Sequence, residues 1–245
     1  MTFWRRLRSN PAALRNKLRV LAPDVPVLGT LPRLPAAQID AALGGVIQAE
    51  PFATGMAGVT QGLLQRPSSP HKTVLVTSAA AGEGKSTLAL NLAVGLAQRS
   101  RVLLIDADLR NPALSRRLNL PRYDAGLSEL VSCDAPYRSC LALTGMANLH
   151  AIRSGSLPAD PAALLRAPRL AMTLQLSARY YEHIVIDSPA LAVYPDAVIL
   201  AQLVDTVVIV IDARQRRFDR IRNAVKLLKQ VNAPVAGFVL NGVSG

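Results

Sequence analysis

The sequence predicts an α/β fold, built on a predominantly parallel sheet flanked by helices on both faces. Three observations predict it. From His71 onward, short apolar runs alternate with helix-patterned segments, the order that parallel strands joined by crossover helices require. Those runs are nearly continuous in Val, Ile and Leu, as strands covered on both faces are. The first run also passes through a glycine-rich turn into a helical pattern, and two later runs end in aspartate.

Residues 1–70 read differently. Pro11, Pro23, Pro26, Pro32, Pro35, Pro51, Pro67 and Pro70 punctuate them, and regular periodicity is weak. The first twenty residues carry Arg5, Arg6, Arg8, Arg15, Lys17 and Arg19 without an acid, alongside an apolar stripe of Phe3, Trp4, Leu7, Leu14 and Leu18 that Pro11 interrupts. Pro67-Ser-Ser-Pro70 reads as a linker. A basic, proline-rich segment with its linker over 1–70 is therefore expected to precede the main domain over 71–245.

In that domain the expected strands are Thr73–Thr77, Val102–Asp106, Leu149–Ile152, Ile184–Asp187, Thr206–Ile211 and Val235–Leu240. Lys85–Arg99 has Leu88, Leu92 and Leu96 at helical spacing. Further helices are expected over Pro161–Leu165, Pro168–Tyr181, Pro195–Leu203 and Arg216–Gln230. In the last, Ile221, Val225 and Leu228 share one face, with Arg222, Lys226 and Lys229 elsewhere. Ligands of such sheets bind at the carboxyl ends of the strands.

Composition narrows the function classes. At 245 residues, 50% hydrophobic, the chain can bury one large core, with or without a small appendage. No apolar stretch reaches the roughly 18 residues that cross a bilayer. The start Met-Thr-Phe-Trp-Arg-Arg lacks the apolar block of a signal peptide. Cys133 and Cys140 are too few for a disulfide framework, and His71, His150 and His183 have no metal-ligand spacing. A cytoplasmic location is expected. The net charge of +12 attracts polyanions, whether anionic lipid, nucleic acid or nucleotide.

Chemistry concentrates in Ser78-Ala-Ala-Ala-Gly-Glu-Gly-Lys-Ser-Thr87. Strand, glycine-rich turn, Gly-Lys-Ser and helix form the layout of a phosphate-binding loop. Gly82 and Gly84 permit a tight turn that brings N–H groups to phosphate oxygens. The helix N-terminus adds partial positive charge. Lys85 neutralises β and γ phosphates, and the Ser86 hydroxyl can ligate Mg²⁺. One departure is that Ala79 stands at the usual first glycine. Two other strands deliver acids to the same end: Asp106, with Asp108 two residues on, and Asp187. Beside a phosphate-binding loop, carboxylates at strand ends hold Mg²⁺ or its water shell.

These motifs resemble the bacterial tyrosine kinases, or BY-kinases. The likeness rests on Ser78 to Thr87, on Leu104-Ile-Asp-Ala-Asp-Leu-Arg110 and on Ile186-Asp-Ser-Pro-Ala190. It extends to Gly126-Leu-Ser-Glu-Leu130, Ser154-Gly-Ser-Leu-Pro158, Val239-Leu-Asn-Gly242 and Pro26-Val-Leu-Gly-Thr-Leu-Pro32. The resemblance implies a P-loop NTPase fold of the MinD/ParA-like type and ATP with Mg²⁺ as cofactors. It implies that Ala81, Gly82, Glu83, Gly84, Lys85, Ser86 and Thr87 line the nucleotide, with Asn241 at the base. Ser86, Asp106 and Asp187 would serve the metal. Lys85, Asp108 and Arg110 would be catalytic: Asp108 accepts the tyrosine proton, and Arg110 either neutralises transferring phosphate or pairs with an acid. A phenol is a far weaker acid than a carboxyl group, so Asp108 acts by orientation and late proton acceptance.

The implied partners are a membrane-embedded polysaccharide chain-length or activator protein and protein-tyrosine substrates in trans. The basic N-terminus suggests an anionic membrane surface at the inner face of the plasma membrane. No nucleic-acid partner is expected, and a homo-oligomer remains open. Four departures from the family pattern bear on this. Ala81 replaces the loop proline, and Ala190 replaces the second proline of the third motif. The family's Glu-x-x-Arg-x-x-Arg assembly segment finds only Glu50, Ala53 and Met56, and no tyrosine follows Tyr194. Phosphate is therefore expected mainly on other proteins. Two alternatives stay open: a non-catalytic or weakly active nucleotide-binding regulator of polysaccharide export, and a MinD/ParA-type positioning ATPase, whose early loop lysine is Ala80 here.

Overall fold

A computed structural model describes residues 11–34, 47–65, 72–120, 125–214 and 217–243. Phe3, Trp4, Leu7, Arg5, Arg6, Arg8, the Pro67–Pro70 linker and Tyr123 lie outside these residues. In chain order the elements are α1 (Pro11–Leu21), β1 (Val27–Pro32), α2 (Phe52–Leu64), β2 (Thr73–Ser78), α3 (Lys85–Ala97) and β3 (Val102–Asp106). Next come α4 (Leu114–Arg117), α5 (Leu127–Ser132), α6 (Tyr137–Cys140), β4 (Leu141–Leu143), β5 (Leu149–Ile152), α7 (Pro161–Arg166) and α8 (Pro168–Ser177). The chain finishes with β6 (His183–Asp187), α9 (Asp196–Ala201), β7 (Thr206–Asp212), α10 (Phe218–Gln230) and β8 (Val235–Val243).

One sheet organises them, in the order β1-β8-β7-β2-β6-β3-β5-β4. Every pairing is parallel except β4 with β5. Strand alternation divides the interior into two cores. Leu75, Leu103 and Ile105 face a core closed by α1, α5 and α7 to α10. Val74, Val76, Val102 and Leu104 face the other, closed by α2, α3 and α4. The period of two along each strand thus sends apolar side chains to both faces, and helices cover both.

The N-terminal segment is built into this sheet. β1 pairs with β8 through Val27↔Phe238 and Thr30↔Leu240, as an edge strand where Pro32 is tolerated. Pro11 stands in the first turn of α1, where backbone N–H groups have no intrahelical partner, and the helix buries Leu14 and Leu18. α2 is glycine-rich because it packs close: a Cβ on Gly55 would lie 2.8 Å from the Thr30 carbonyl. Glycine weakens the helical pattern and the flanking prolines weaken the strand pattern, which is why neither element stood out in the sequence. Met56, at an assembly-segment position, is 6% exposed and belongs to the core with Phe52, Val59 and Leu63. Among the described residues no helix is long and apolar enough to cross a membrane.

Candidate active site

After β2 the chain turns at Gly82 (φ 79°) and Gly84 (φ 98°), both in the left-handed region that side chains disfavour. A Cβ on Gly84 would strike the side-chain amide of Asn241, whose Nδ2 donates to the Glu83 carbonyl at 3.0 Å. That bond ties the loop to β8, two strands away in the sheet. Glu83 fastens it from within. Its buried carboxylate accepts the Ala80 N–H at 2.7 Å and the Asp212 N–H at 3.4 Å. No side chain caps the start of α3, so its first N–H groups remain available to an anion.

A cleft of about 620 Å³ opens over this loop, within the size range of small-ligand sites. Ala81, Gly82, Gly84, Lys85, Ser86 and Thr87 form one wall, with Asn241 and Asp212 beside them. Asp108, Arg117 and Tyr194 face it, and Arg33 and Phe52 reach it from the N-terminal segment.

Strand register brings the acids together. β6 lies between β2 and β3, so Asp187 pairs with Val76 on one side and with Asp106 on the other. Both carboxylates are fully buried. Asp106 Oδ2 accepts the N–H groups of Ala113 (3.2 Å) and Leu114 (3.0 Å) at the start of α4, while its Oδ1 has no hydrogen-bond partner. Neither oxygen of Asp187 has one. Burial pushes the Asp187 carboxyl up to about 7, against the opposing pull of the nearby Ser86 hydroxyl and the Lys85 charge. Burial, reinforced by Asp187, holds Asp106 well above the usual carboxylate range.

Orphaned, buried carboxylate oxygens beside Lys85 and Ser86 fit a divalent cation or its water shell. Among the described residues no group of three or more His, Cys, Asp or Glu is arranged to hold a metal unaided. Mg²⁺ at a phosphate site takes one or two carboxylates and completes its shell with phosphate oxygens and water, so this donor set suits it.

Asp108 is on the cleft wall, 8% exposed, with Oδ1 accepting the Asn111 N–H at 3.0 Å. Its carboxyl is raised, by burial first, with the Asn111 N–H and the Lys85 charge opposing and Asp196 reinforcing. Arg110 takes the second of its two expected roles. Its Nε and Nη2 donate to the buried carboxylate of Asp196 at 2.8 and 3.2 Å, and its guanidinium stacks 4.0 Å over the Tyr194 ring. It does not line the cleft; it holds the loop that carries Tyr194. Glu83, expected at the nucleotide, likewise supports the loop by its side chain. Ala81, Gly82, Gly84, Lys85, Ser86, Thr87 and Asn241 all line the cleft.

Sequence reasoning missed Asp212, Arg214, Arg117, Arg33 and Phe52. Asp212 carries the same signal as Asp106 and Asp187, an acid ending an apolar strand, but the expected strand stopped at Ile211. Despite burial, hydrogen bonds from Arg214 hold its carboxyl below the usual range. Arg33 and Phe52 carry no local signal, because only the docking of β1 and α2 brings them to the cleft. The two distant motifs of the resemblance also meet. Leu127 N–H donates to the Arg153 carbonyl at 2.7 Å, and Glu129 accepts from the N–H groups of Gly126 (2.7 Å) and Ser156 (2.9 Å).

Fold and site together define a P-loop nucleotide-binding domain. The family model for the CobQ/CobB/MinD/ParA nucleotide binding domain matches residues 74–245. The chain belongs to that family, and within it to the bacterial tyrosine-protein kinases. It is 32% identical over 179 residues to tyrosine-protein kinase CpsD of Streptococcus pneumoniae, spanning 73% of this chain and 79% of that protein. Tyrosine-protein kinase YwqD of Bacillus subtilis is 32% identical over 172 residues, 70% of this chain and 72% of its own length. Among solved structures, the BceF tyrosine kinase domain superposes with a TM-score of 0.80 at 27% identity, covering 96% of this chain and 98% of that one. The cell-division ATPase MinD of Pyrococcus furiosus shares the fold at a TM-score of 0.58.

Proposed function

We propose that this chain transfers the γ-phosphoryl group of ATP to tyrosine hydroxyls of other proteins, in the control of surface-polysaccharide polymerisation and export. The observation that carries the reading is the position of Asp108, a buried carboxylate on the cleft wall facing the phosphate-binding loop. Lys85 and the N–H groups of the loop and first turn of α3 bind the β and γ phosphates. Ser86, Asp106 and Asp187 would hold Mg²⁺, which when bound offsets phosphate charge. The tyrosine oxygen forms its bond to the γ-phosphorus as the bond to the β-phosphate oxygen breaks. ADP leaves, and the phenolic proton passes to Asp108. The raised Asp108 carboxyl narrows the gap to the phenol and makes it a better acceptor than an exposed aspartate.

The polysaccharide role and a membrane-embedded activator rest on the resemblance to the bacterial tyrosine kinases, and the basic side chains of residues 1–20 suit the inner face of the plasma membrane. The test is phosphotyrosine formation from Mg-ATP, with and without the cytoplasmic segments of the partner membrane protein. Asp108→Asn is expected to bind Mg-ATP within about threefold of wild type, since it leaves the phosphate contacts intact, yet lose transfer by at least about a hundredfold. Transfer at the wild-type rate in that variant would remove Asp108 from the chemistry. Absence of phosphotyrosine under every condition would leave a nucleotide-binding regulator.

A further inference from the structure

Among the described residues, α1 and α10 both present exposed basic side chains, and the two helices are in contact. α1 lies against α10: Lys17 Nζ sits 4.3 Å over the Phe218 ring, and Lys229 Nζ meets Asp24 Oδ2 at 3.3 Å. Arg222, Lys226 and Lys229 recur at i, i+4 and i+7, one face of α10, and all are exposed. Phe218 and Lys229 lie on that same flank, so this row borders α1. From α1, Arg15 and Arg19 point outward, and Val20 is 83% exposed. Arg15, Arg19, Arg222 and Lys226 form no salt bridge among the described residues. The acids of α1, of the turn after it and of α10 are few: Asp219 in the first turn of α10, and Asp24, already paired with Lys229. None of these side chains lines the nucleotide cleft.

We infer that α1 and α10 together form a platform for an anionic lipid bilayer, with the basic row of α10 and the outer face of α1 both in contact with the headgroups. The inference rests on the membrane association proposed above but not on the kinase reaction. Two observations favour lipid over nucleic acid. Val20 is a large apolar side chain standing almost free beside the arginines, which suits an interface with an acyl boundary and adds nothing to phosphate-backbone contact. Residues 1–8 read Met-Thr-Phe-Trp-Arg-Arg-Leu-Arg, a sequence that combines aromatic and aliphatic groups with three arginines, as interfacial segments do. A polybasic surface and an apolar contribution are the two signals that stable peripheral attachment requires.

Vesicle flotation of the full chain tests this, using vesicles of phosphatidylglycerol with phosphatidylcholine and of phosphatidylcholine alone. The wild type is expected to float with the anionic vesicles only, and less as salt rises. The variant Arg222→Gln/Lys226→Gln/Lys229→Gln leaves residues 1–20 untouched and is expected to lower partition by about a hundredfold. Arg15→Gln/Arg19→Gln, which breaks no ion pair among the described residues, is expected to lower it by about tenfold or more. Both variants should keep the wild-type melting temperature and nucleotide affinity, which shows that the fold is intact. Wild-type flotation by the α10 variant would overturn the platform. So would complete loss of binding in a chain lacking residues 1–10 when both charge variants bind normally. Equal binding to neutral vesicles, or tight binding to a duplex DNA oligonucleotide with no vesicle binding, would also overturn it. Because no arm reads phosphotyrosine, failure of the kinase reading would leave these outcomes unchanged.

Discussion

Asp187 is a fully buried carboxylate with no hydrogen-bond partner on either oxygen, set at the end of a strand beside another acid. Its folded-state carboxyl lies at about 7, above its value in the unfolded chain. The native state therefore holds this proton more tightly. The group's contribution to stability is complete below about pH 4, declines as pH rises toward about 7, and is flat beyond. At pH 7.5 the ionised form then costs the metal-free protein up to about 4 kcal/mol. Asp187→Asn should raise the melting temperature of the nucleotide-free protein at pH 7.5 and flatten its decline between pH 5 and 7. The same substitution should abolish the extra stabilisation that Mg²⁺ gives to nucleotide binding. Thermal scans across pH, with and without Mg-ATP, check both halves. A less stable variant with the wild-type pH slope would mean that Lys85 and Arg117 already balance this charge.

At the scale of elements, the phosphate-binding loop is held by contacts that make it a preformed cradle. Gly84 has a positive φ and presses against Asn241, which bonds the Glu83 carbonyl. Gly84→Ala should cost about 1–2 kcal/mol in backbone strain and weaken nucleotide binding about tenfold or more. The double variant Gly84→Ala/Asn241→Ala separates the causes: recovery of part of the loss, by denaturation and nucleotide titration, assigns it to the collision. The loop and the strands carrying Asp106 and Asp187 were legible in the sequence because each announces itself locally, by glycine spacing or by an apolar run ending in an acid. β1 and α2 were not. Their prolines and glycines obscure local pattern, and what stabilises them is close packing of α2 on β1, as between Gly55 and the Thr30 carbonyl. Asn241 was reached through the resemblance alone. Its closeness to the loop follows from the sheet order, which no local signal encodes.

For the whole molecule, the question is whether residues 11–65 are an appendage or part of the foundation. Composition alone argues for a basic segment ending at a linker near residue 70. The architecture argues otherwise, because β1 covers the open edge of β8 and α2 packs against both β1 and α3. Leu14, Leu18, Leu31, Phe52, Met56, Val59 and Leu63 are all buried. At about 1.5–3 kcal/mol for each buried apolar side chain, their gross contribution is comparable with the roughly 5–15 kcal/mol net stability of a typical protein. Four of the cleft-lining residues, Pro32, Arg33, Leu34 and Phe52, also belong to this segment. A chain beginning at residue 72 should therefore melt at least about 10 °C lower or associate through the exposed β8 edge, and should bind nucleotide more weakly. Calorimetry, sedimentation and nucleotide titration on that truncated chain decide the matter. If its stability and nucleotide affinity match the full chain, β1 and α2 are a cover laid over a domain complete without them. If both fall together, as expected, the segment that composition sets apart is what closes the sheet and finishes the wall of the cleft.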